Sequence, residues 1–481
     1  MTAPSKPHRR AAALAAVCAV ALLSGCSLAP LYERPAAPIP ASYPVAAQSS
    51  DPRSANQPEP GGKAASVFRS TAWCTQFPEP VLRRLVAAAL EHNRDLKLAA
   101  ARVVEARALH GIQSASRLPT VALEATTTHP ARNNESAHQA GVTLAAYELD
   151  FFGKAQSLSD AALHEYLATE QAQRAARISV VAEVVRGYVL ERAATARVEL
   201  ARRAAASRTA AVALLTRRVA AGVSSPLELE QARSLVGAAD TDLIEQQLVH
   251  ARAEQALALL TGYGDRGGTE DAPPFTAAAF GAGWGVMRAG LPSELLTARP
   301  DIVAAEQRLQ AANAQIGAAR AAFFPSIRLT AMGGVASGEL SSLFTAGSAA
   351  LQVVPQVSLP IFDGGRNQAN LDLARARENS AVIEYERTIQ TAFREVSDAL
   401  AGQASLERDI AARTALREVE ARRRTMTMNR YLAGAVGYLE VLDVERSLFA
   451  ADQALLDARR ARLETAASLY RALGGCPAVS G

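Results

Sequence analysis

Cys26 is the first residue whose setting points to chemistry. It follows a basic stretch ending at Arg10, an apolar run from Ala11 to Leu23, and the small residues Ser24 and Gly25. That is the layout of a secretory signal that ends beside a thiol. Cys18 leaves with the signal, so Cys74 and Cys476 are the other thiols of an exported chain, and in an oxidising compartment they form either a disulfide or two free thiols. Leu439, Asp443 and Arg446 recur at i, i+4 and i+7, which puts an apolar group, an acid and a base on one face of a helix. The seven histidines (His8, His92, His110, His129, His138, His164 and His250) form no metal-type spacing, and neither a Gly-x-Ser-x-Gly elbow nor a phosphate loop occurs. Gly281-Ala282-Gly283-Trp284-Gly285 lacks the preceding strand and following helix of a dinucleotide loop. It reads as a connector, and His250, at a heptad position, reads as a packing residue. No enzyme, no metal and no cofactor is expected apart from a covalent lipid.

Composition narrows the elements that can hold these residues. The chain has 481 residues, 51 Lys+Arg against 47 Asp+Glu, 49% hydrophobic residues and a formal charge of +4. Lys6, Arg9 and Arg10 lie in the acid-free first 25 residues and supply three of those four charges. The remainder is close to neutral, which gives no electrostatic case for nucleic acid. A mean hydropathy of +0.02 excludes a polytopic helical membrane protein. The 13-residue apolar run is too short to span a bilayer core of about 30 Å. Leu23-Ser24-Gly25-Cys26 resembles the bacterial lipobox, which implies cleavage after residue 25 and acylation of Cys26. Ser27 at the next position implies passage to the outer membrane. Acyl chains contribute about 0.8 kcal/mol per buried CH₂, so several of them would anchor the chain firmly. Residues 26–66, with Pro35, Pro38, Pro40, Pro44, Pro52, Pro58 and Pro60, read as a lipidated N-terminus and an extended tether.

Beyond the tether the chain is duplicated. Asn93-Arg94-Asp95-Leu96 through Leu118-Pro119-Thr120-Val121 aligns with Arg299-Pro300-Asp301-Ile302 through Phe324-Pro325-Ser326-Ile327. Ala221-Gly222-Val223 and Leu227-Glu228-Leu229 align with Ala433-Gly434-Ala435 and Leu439-Glu440-Val441. Repeats over 67–262 and 291–475, joined by a Gly/Pro-rich connector at 263–290 and followed by a tail at 476–481, each read as helix, hairpin, very long helix, turn and long helix. The hairpins, at 118–151 and 325–362, show the period-2 alternation of strands, with Ile327, Leu329 and Ala331 facing away from Ser326, Arg328 and Thr330. Strands of about 10 residues can cross a membrane in a barrel. No proline interrupts 154–223 or 366–473. About 65 helical residues extend on the order of 100 Å. Leu442, Phe449, Leu456, Leu463 and Tyr470 recur every seven residues, as do Leu229, Val236 and Leu243, with Leu257 in phase; this is the seam of left-handed coiled coils.

Four strands cannot close a barrel, and an open edge in lipid would leave backbone groups unsatisfied at several kcal/mol each. Strands must therefore be pooled between subunits. Gly290-Leu291-Pro292-Ser293-Glu294-Leu295-Leu296, Arg299-Pro300-Asp301-Ile302 with Ala305-Glu306, Ala311-Ala312-Asn313-Ala314 leading to Phe323-Phe324-Pro325-Ser326-Ile327, and Leu359-Pro360-Ile361-Phe362-Asp363-Gly364-Gly365-Arg366 together resemble the TolC-like outer membrane efflux proteins, in their NodT-type lipoprotein branch. Tyr147-Glu148-Leu149-Asp150-Phe151-Phe152-Gly153-Lys154 resembles the equivalent motif of the first repeat, with Tyr147 where Trp is usual.

The resemblance implies a mainly α protein with a membrane β-barrel: a homotrimer with a 12-stranded barrel continued by a 12-helix periplasmic α-barrel. Its function would be passive, gated export of small molecules such as drugs. A periplasmic adaptor would dock on the helix-turn tips at Gly222, Val223, Gly434, Ala435 and Val436, with an inner-membrane pump of the resistance-nodulation-division type behind it. By the same resemblance Leu439, Asp443 and Arg446 form the channel gate; the first repeat has Leu227, Gln231 and Ser234 in their place. Trp73-Cys74-Thr75-Gln76-Phe77 and Pro226, where the family has an aromatic, depart from the family pattern. The rival expectation is a periplasmic coiled-coil structural lipoprotein without channel activity, which would share the heptads but not the hairpins.

Overall fold

The computed structural model describes residues 28–44, 79–129, 136–263 and 292–475. The signal segment, Cys26, Cys74, Cys476, the tail and all of the connector but Tyr263 lie outside the described residues. In order, the elements are α1 (Pro80–His92), α2 (Arg94–Ala115), β1 (Val121–Thr128), β2 (Ala137–Leu149), α3 (Lys154–Ala220), α4 (Pro226–Leu260), a short α5 (Leu295–Ala298), α6 (Pro300–Ala321), β3 (Ser326–Ser337), β4 (Ala349–Ser358), α7 (Arg366–Leu432) and α8 (Tyr438–Ala472). The chain is therefore mostly helical. α3 and α7 have 67 residues each, and α4 and α8 have 35 each. None of the described helices is long and apolar enough to cross a membrane.

Two units are distinguished by their contacts. The first takes in residues up to 37, 101–171 and 303–387; the second takes in 38–100, 172–302 and 388 onward.

In the first unit the four strands form one antiparallel sheet in the order β1-β2-β3-β4, so β2 and β3, one from each repeat, are paired at its centre. Gly141 pairs with Gly334, and a Cβ on Gly141 would sit 2.6 Å from the Gly333 carbonyl oxygen, so this seam admits only glycine. At one end Glu148 pairs with Arg328 and Arg328 with Gln356, making a polar row, and the Lys154 Nζ donates to Glu148 Oε1 at 3.2 Å. Leu123, Leu351, Val353 and Val357 are exposed. β1 and β4 each have one strand neighbour among the described residues.

Two aspartates start the long helices. Asp150 accepts from the backbone N–H of Lys154 and Gln156 at 2.6 and 2.8 Å, and Asp363 from those of Gly365 and Asn367 at 3.0 and 2.9 Å. Each satisfies donors that a helix N-terminus leaves free. These bonds hold the Asp363 carboxyl below the usual carboxylate range, the one from Asn367 most strongly.

The same unit corrects the expected tether. Residues 28–44 are irregular, but they are docked. Arg34 makes a bidentate pair with the buried Glu306 on α6, its Nε at 2.7 Å from Oε1 and its Nη2 at 2.9 Å from Oε2, while the Tyr32 hydroxyl donates to Oε1 at 3.2 Å. Burial, with Glu306 beside it, pushes the Tyr32 hydroxyl up to about 12. Arg320 also donates to the Leu28 carbonyl at 3.1 Å. Proline content gave the stretch its extended backbone, and side chains almost 300 positions away fixed it in place. In the second unit Tyr43 continues the docking, buried and stacked on Phe393 with ring centroids 5.1 Å apart.

The second unit buries the heptad seam. Leu82 and Leu85 of α1, Val184, Val185 and Tyr188 of α3, Leu257 of α4 and Leu463 of α8 form one core. Each repeat ties its start to its end. Asn93 donates to the Leu260 carbonyl at 2.9 Å, while Arg299 donates to the Ala472 carbonyl at 2.9 Å and pairs with Asp301 and Glu395. Burial opposes the Arg299 charge, but Asp301 and Glu395 outweigh it and leave its pKa raised.

Candidate gate and docking tips

At both tips the long helix ends on a glycine in the left-handed region, with φ of 74° at Gly222 and 75° at Gly434. The next N–H reaches back into the last turn in each case: Val223 to the Arg218 carbonyl and Ala435 to the Arg430 carbonyl, both at 2.9 Å. These bonds satisfy carbonyls that a helix end would otherwise leave free, so two long helices reverse in a few residues. The expected docking residues fall on these turns. Gly222, Val223, Gly434 and Ala435 are exposed, and Val436 is half-buried.

The two turns differ in how the returning helix begins. At the first, Ser225 accepts from the Leu227 N–H at 3.1 Å while Glu228 accepts from the Ser225 N–H at 3.2 Å, with Pro226 at the first helical position. At the second, Gly437 offers no side-chain cap, and Tyr438 stands where the first repeat has Pro226. Tyr438 is buried with Tyr431, Leu215, Leu229 and Val441 in a core beneath both tips. The Tyr431 and Tyr438 rings lie 5.2 Å apart, and the Arg218 guanidinium sits 4.9 Å from the Tyr431 centroid. Burial, together with the nearby Glu445, raises the Tyr438 pKa and keeps the hydroxyl neutral.

The three residues of the expected gate stand above this core on the first turns of α8. Leu439 is 64% exposed, and Asp443 accepts from the Arg446 Nη2 at 2.7 Å. A residue that local spacing does not reveal joins them: Arg423 of α7 brings its Nη2 to 3.7 Å from the other Asp443 oxygen. Only the register of α7 against α8 brings it there. Asp443 is half exposed and Arg446 more so, so each contact contributes roughly 0.2–1 kcal/mol. Such pairs can be broken by small forces, which suits a restraint that must release. A further titratable cluster in this unit brings together Glu191, His250 and Glu254, whose donor atoms lie within 4.8 Å of one another.

Comparison with known proteins places the whole described fold. The family described as outer membrane efflux protein matches residues 85–263 and 291–475. Cation efflux system protein CusC of Escherichia coli is 40% identical over 465 residues, covering 95% of this chain and 98% of its own length. Solvent efflux pump outer membrane protein SrpC of Pseudomonas putida is likewise 40% identical over 477 residues, covering 96% and 98%. The solved open state of the MtrE outer membrane channel of Neisseria gonorrhoeae has a TM-score of 0.82 at 34% identity, over 94% of this chain and 98% of that one.

Proposed function

The chain belongs to the outer membrane efflux protein family, and from that premise we propose that three copies assemble into a passive, gated export channel closed at the α8 turns. The observation that carries this is the four-stranded sheet, which exposes aliphatic side chains and, among the described residues, leaves β1 and β4 with one strand neighbour each. In lipid such edges are viable only when paired. Three copies would give 12 strands, enough for a closed barrel. The α3/α4 and α7/α8 pairs would supply the 12 helices of a periplasmic tunnel. A coiled-coil scaffold would share these helices and have no use for the sheet.

Acylation of Cys26 would tether each copy to the outer membrane, and the docked Tyr32 and Arg34 follow it by only six and eight residues. A periplasmic adaptor would bind at Gly222, Val223, Gly434, Ala435 and Val436, and an inner-membrane pump of the resistance-nodulation-division type would supply the energy. Threefold symmetry would gather three Leu439 side chains into a constriction and three Asp443 carboxylates into a ring held by Arg446 and Arg423. Separating the tips would break those pairs and open the pore. Cargo is set by the pump that delivers it. Two relatives at 40% identity carry the names of a cation system and a solvent pump, so small molecules of either kind are compatible with this backbone.

The assembly is tested by extracting the full-length protein from outer membranes in detergent and measuring its mass before and after heating. A species of three chains that dissociates on boiling is expected; a stable monomer would overturn the proposal. Cys26→Ala should abolish incorporation of labelled fatty acid, and persistent label would remove the anchor assignment.

A further inference from the structure

His250 was expected to be a packing residue, yet it lies between two carboxylates. Its Nε2 is 3.3 Å from Glu191 Oε1 of α3 and 3.8 Å from Glu254 Oε1, one turn along α4. Glu191 is only 1% exposed, and its second oxygen, Oε2, is buried without a hydrogen-bond partner. Burying a carboxylate oxygen with no donor is costly, so this one calls for a cation. Oε1 is already served: the Thr195 hydroxyl donates to it at 3.0 Å, the kind of contact that orients a metal-binding carboxylate. His250 and Glu254 are partly open to solvent, which leaves an entry path.

We propose that Glu191, His250 and Glu254 form a binding site for a divalent transition-metal ion of the zinc type, linking α3 to α4. One imidazole and two carboxylates are a donor set that such ions accept, with the remaining positions filled by water. The donors are near the spacing a metal needs. With ligands at about 2.0–2.1 Å from the metal, neighbouring donors of a tetrahedron lie about 3.4 Å apart. The His250 separations are 3.3 and 3.8 Å, and all three residues offer donors within 4.8 Å of one another. A small side-chain rotation would turn the free Oε2 of Glu191 toward the ion. A hydrogen-bonded pair between a protonated His250 and Glu191 would account for Oε1 but leave Oε2 without a donor. The second repeat has Gln403, Arg462 and Ala466 at the corresponding positions, so only the first helix pair carries the site. Nothing in it depends on the export reading.

The test is calorimetric titration with Zn²⁺ of the full-length protein, purified in detergent and stripped with chelator, with Co²⁺ absorption as a second readout. One saturable ion per chain is expected, with visible Co²⁺ bands that Zn²⁺ displaces. His250→Gln and Glu254→Gln change partly exposed side chains; each should weaken binding at least tenfold while leaving the helical circular dichroism unchanged. Absence of saturable binding, or wild-type affinity in both variants, would overturn the site.

Discussion

The two helix pairs share one backbone and divide the chemistry between them. α3 and α7 match in length, α4 and α8 match in length, and both tips turn on a glycine with the same φ. Their polar residues have diverged. The second pair carries Asp443, Arg446 and Arg423 near its tip, where the first has Gln231, Ser234 and Ala211. The first pair carries Glu191, His250 and Glu254 in its body, where the second has Gln403, Arg462 and Ala466. The seam and the turns must be kept for the helices to pair, whereas an exposed tip can change its charges without unfolding anything. On the proposed reading, the gate belongs to one repeat and the other is left free to dock or to bind.

The clamps that tie each repeat together offer the largest test of this comparison. Arg299→Ala would remove two charge-assisted pairs and the bond to the Ala472 carbonyl, but Asp301 and Glu395 are partly exposed and Glu395 keeps Arg471 at 3.5 Å, so stability should fall by about 3 kcal/mol. Asn93→Ala removes the corresponding neutral bond to Leu260 and should cost about 1–3 kcal/mol. Denaturant unfolding of the two variants in detergent measures the gap; equal losses would show that the clamps are interchangeable. A smaller contrast lies at the helix starts. Ser225→Ala should cost about 1 kcal/mol by removing a cap, while Gly437→Ser, which supplies a capping side chain at the uncapped counterpart, should stabilise by a few tenths. Amide hydrogen exchange over 225–230 and 437–442 reports this directly, with faster exchange expected only in the first segment.

Much of the helical framework was legible from residue order. The absence of proline over 154–223 and 366–473, with apolar residues at seven-residue spacing, gives the long helices because periodicity and breakers are local signals. Alternation around Ile327 and Leu329 gives a strand for the same reason. Partners distant in sequence were not legible. Tyr32 and Arg34 reach Glu306, Arg423 reaches Asp443 from a neighbouring helix, and Glu191 meets His250 from 59 positions away. His250 and Glu254, one helical turn apart, were a local hint of a ligand pair. Their spacing matters only because α3 sets a buried carboxylate against them.

The central claim is that the second repeat holds the gate of an export channel. Single-channel recording in planar bilayers tests it most directly, with wild type, Asp443→Ala and Gln231→Ala measured side by side. Loss of three half-exposed restraints, each worth roughly 0.2–1 kcal/mol and together about 0.6–3 kcal/mol, should raise the open population roughly three- to a hundredfold in Asp443→Ala, and Gln231→Ala should match wild type. Conductance unchanged in Asp443→Ala, or raised equally in both variants, would contradict the account.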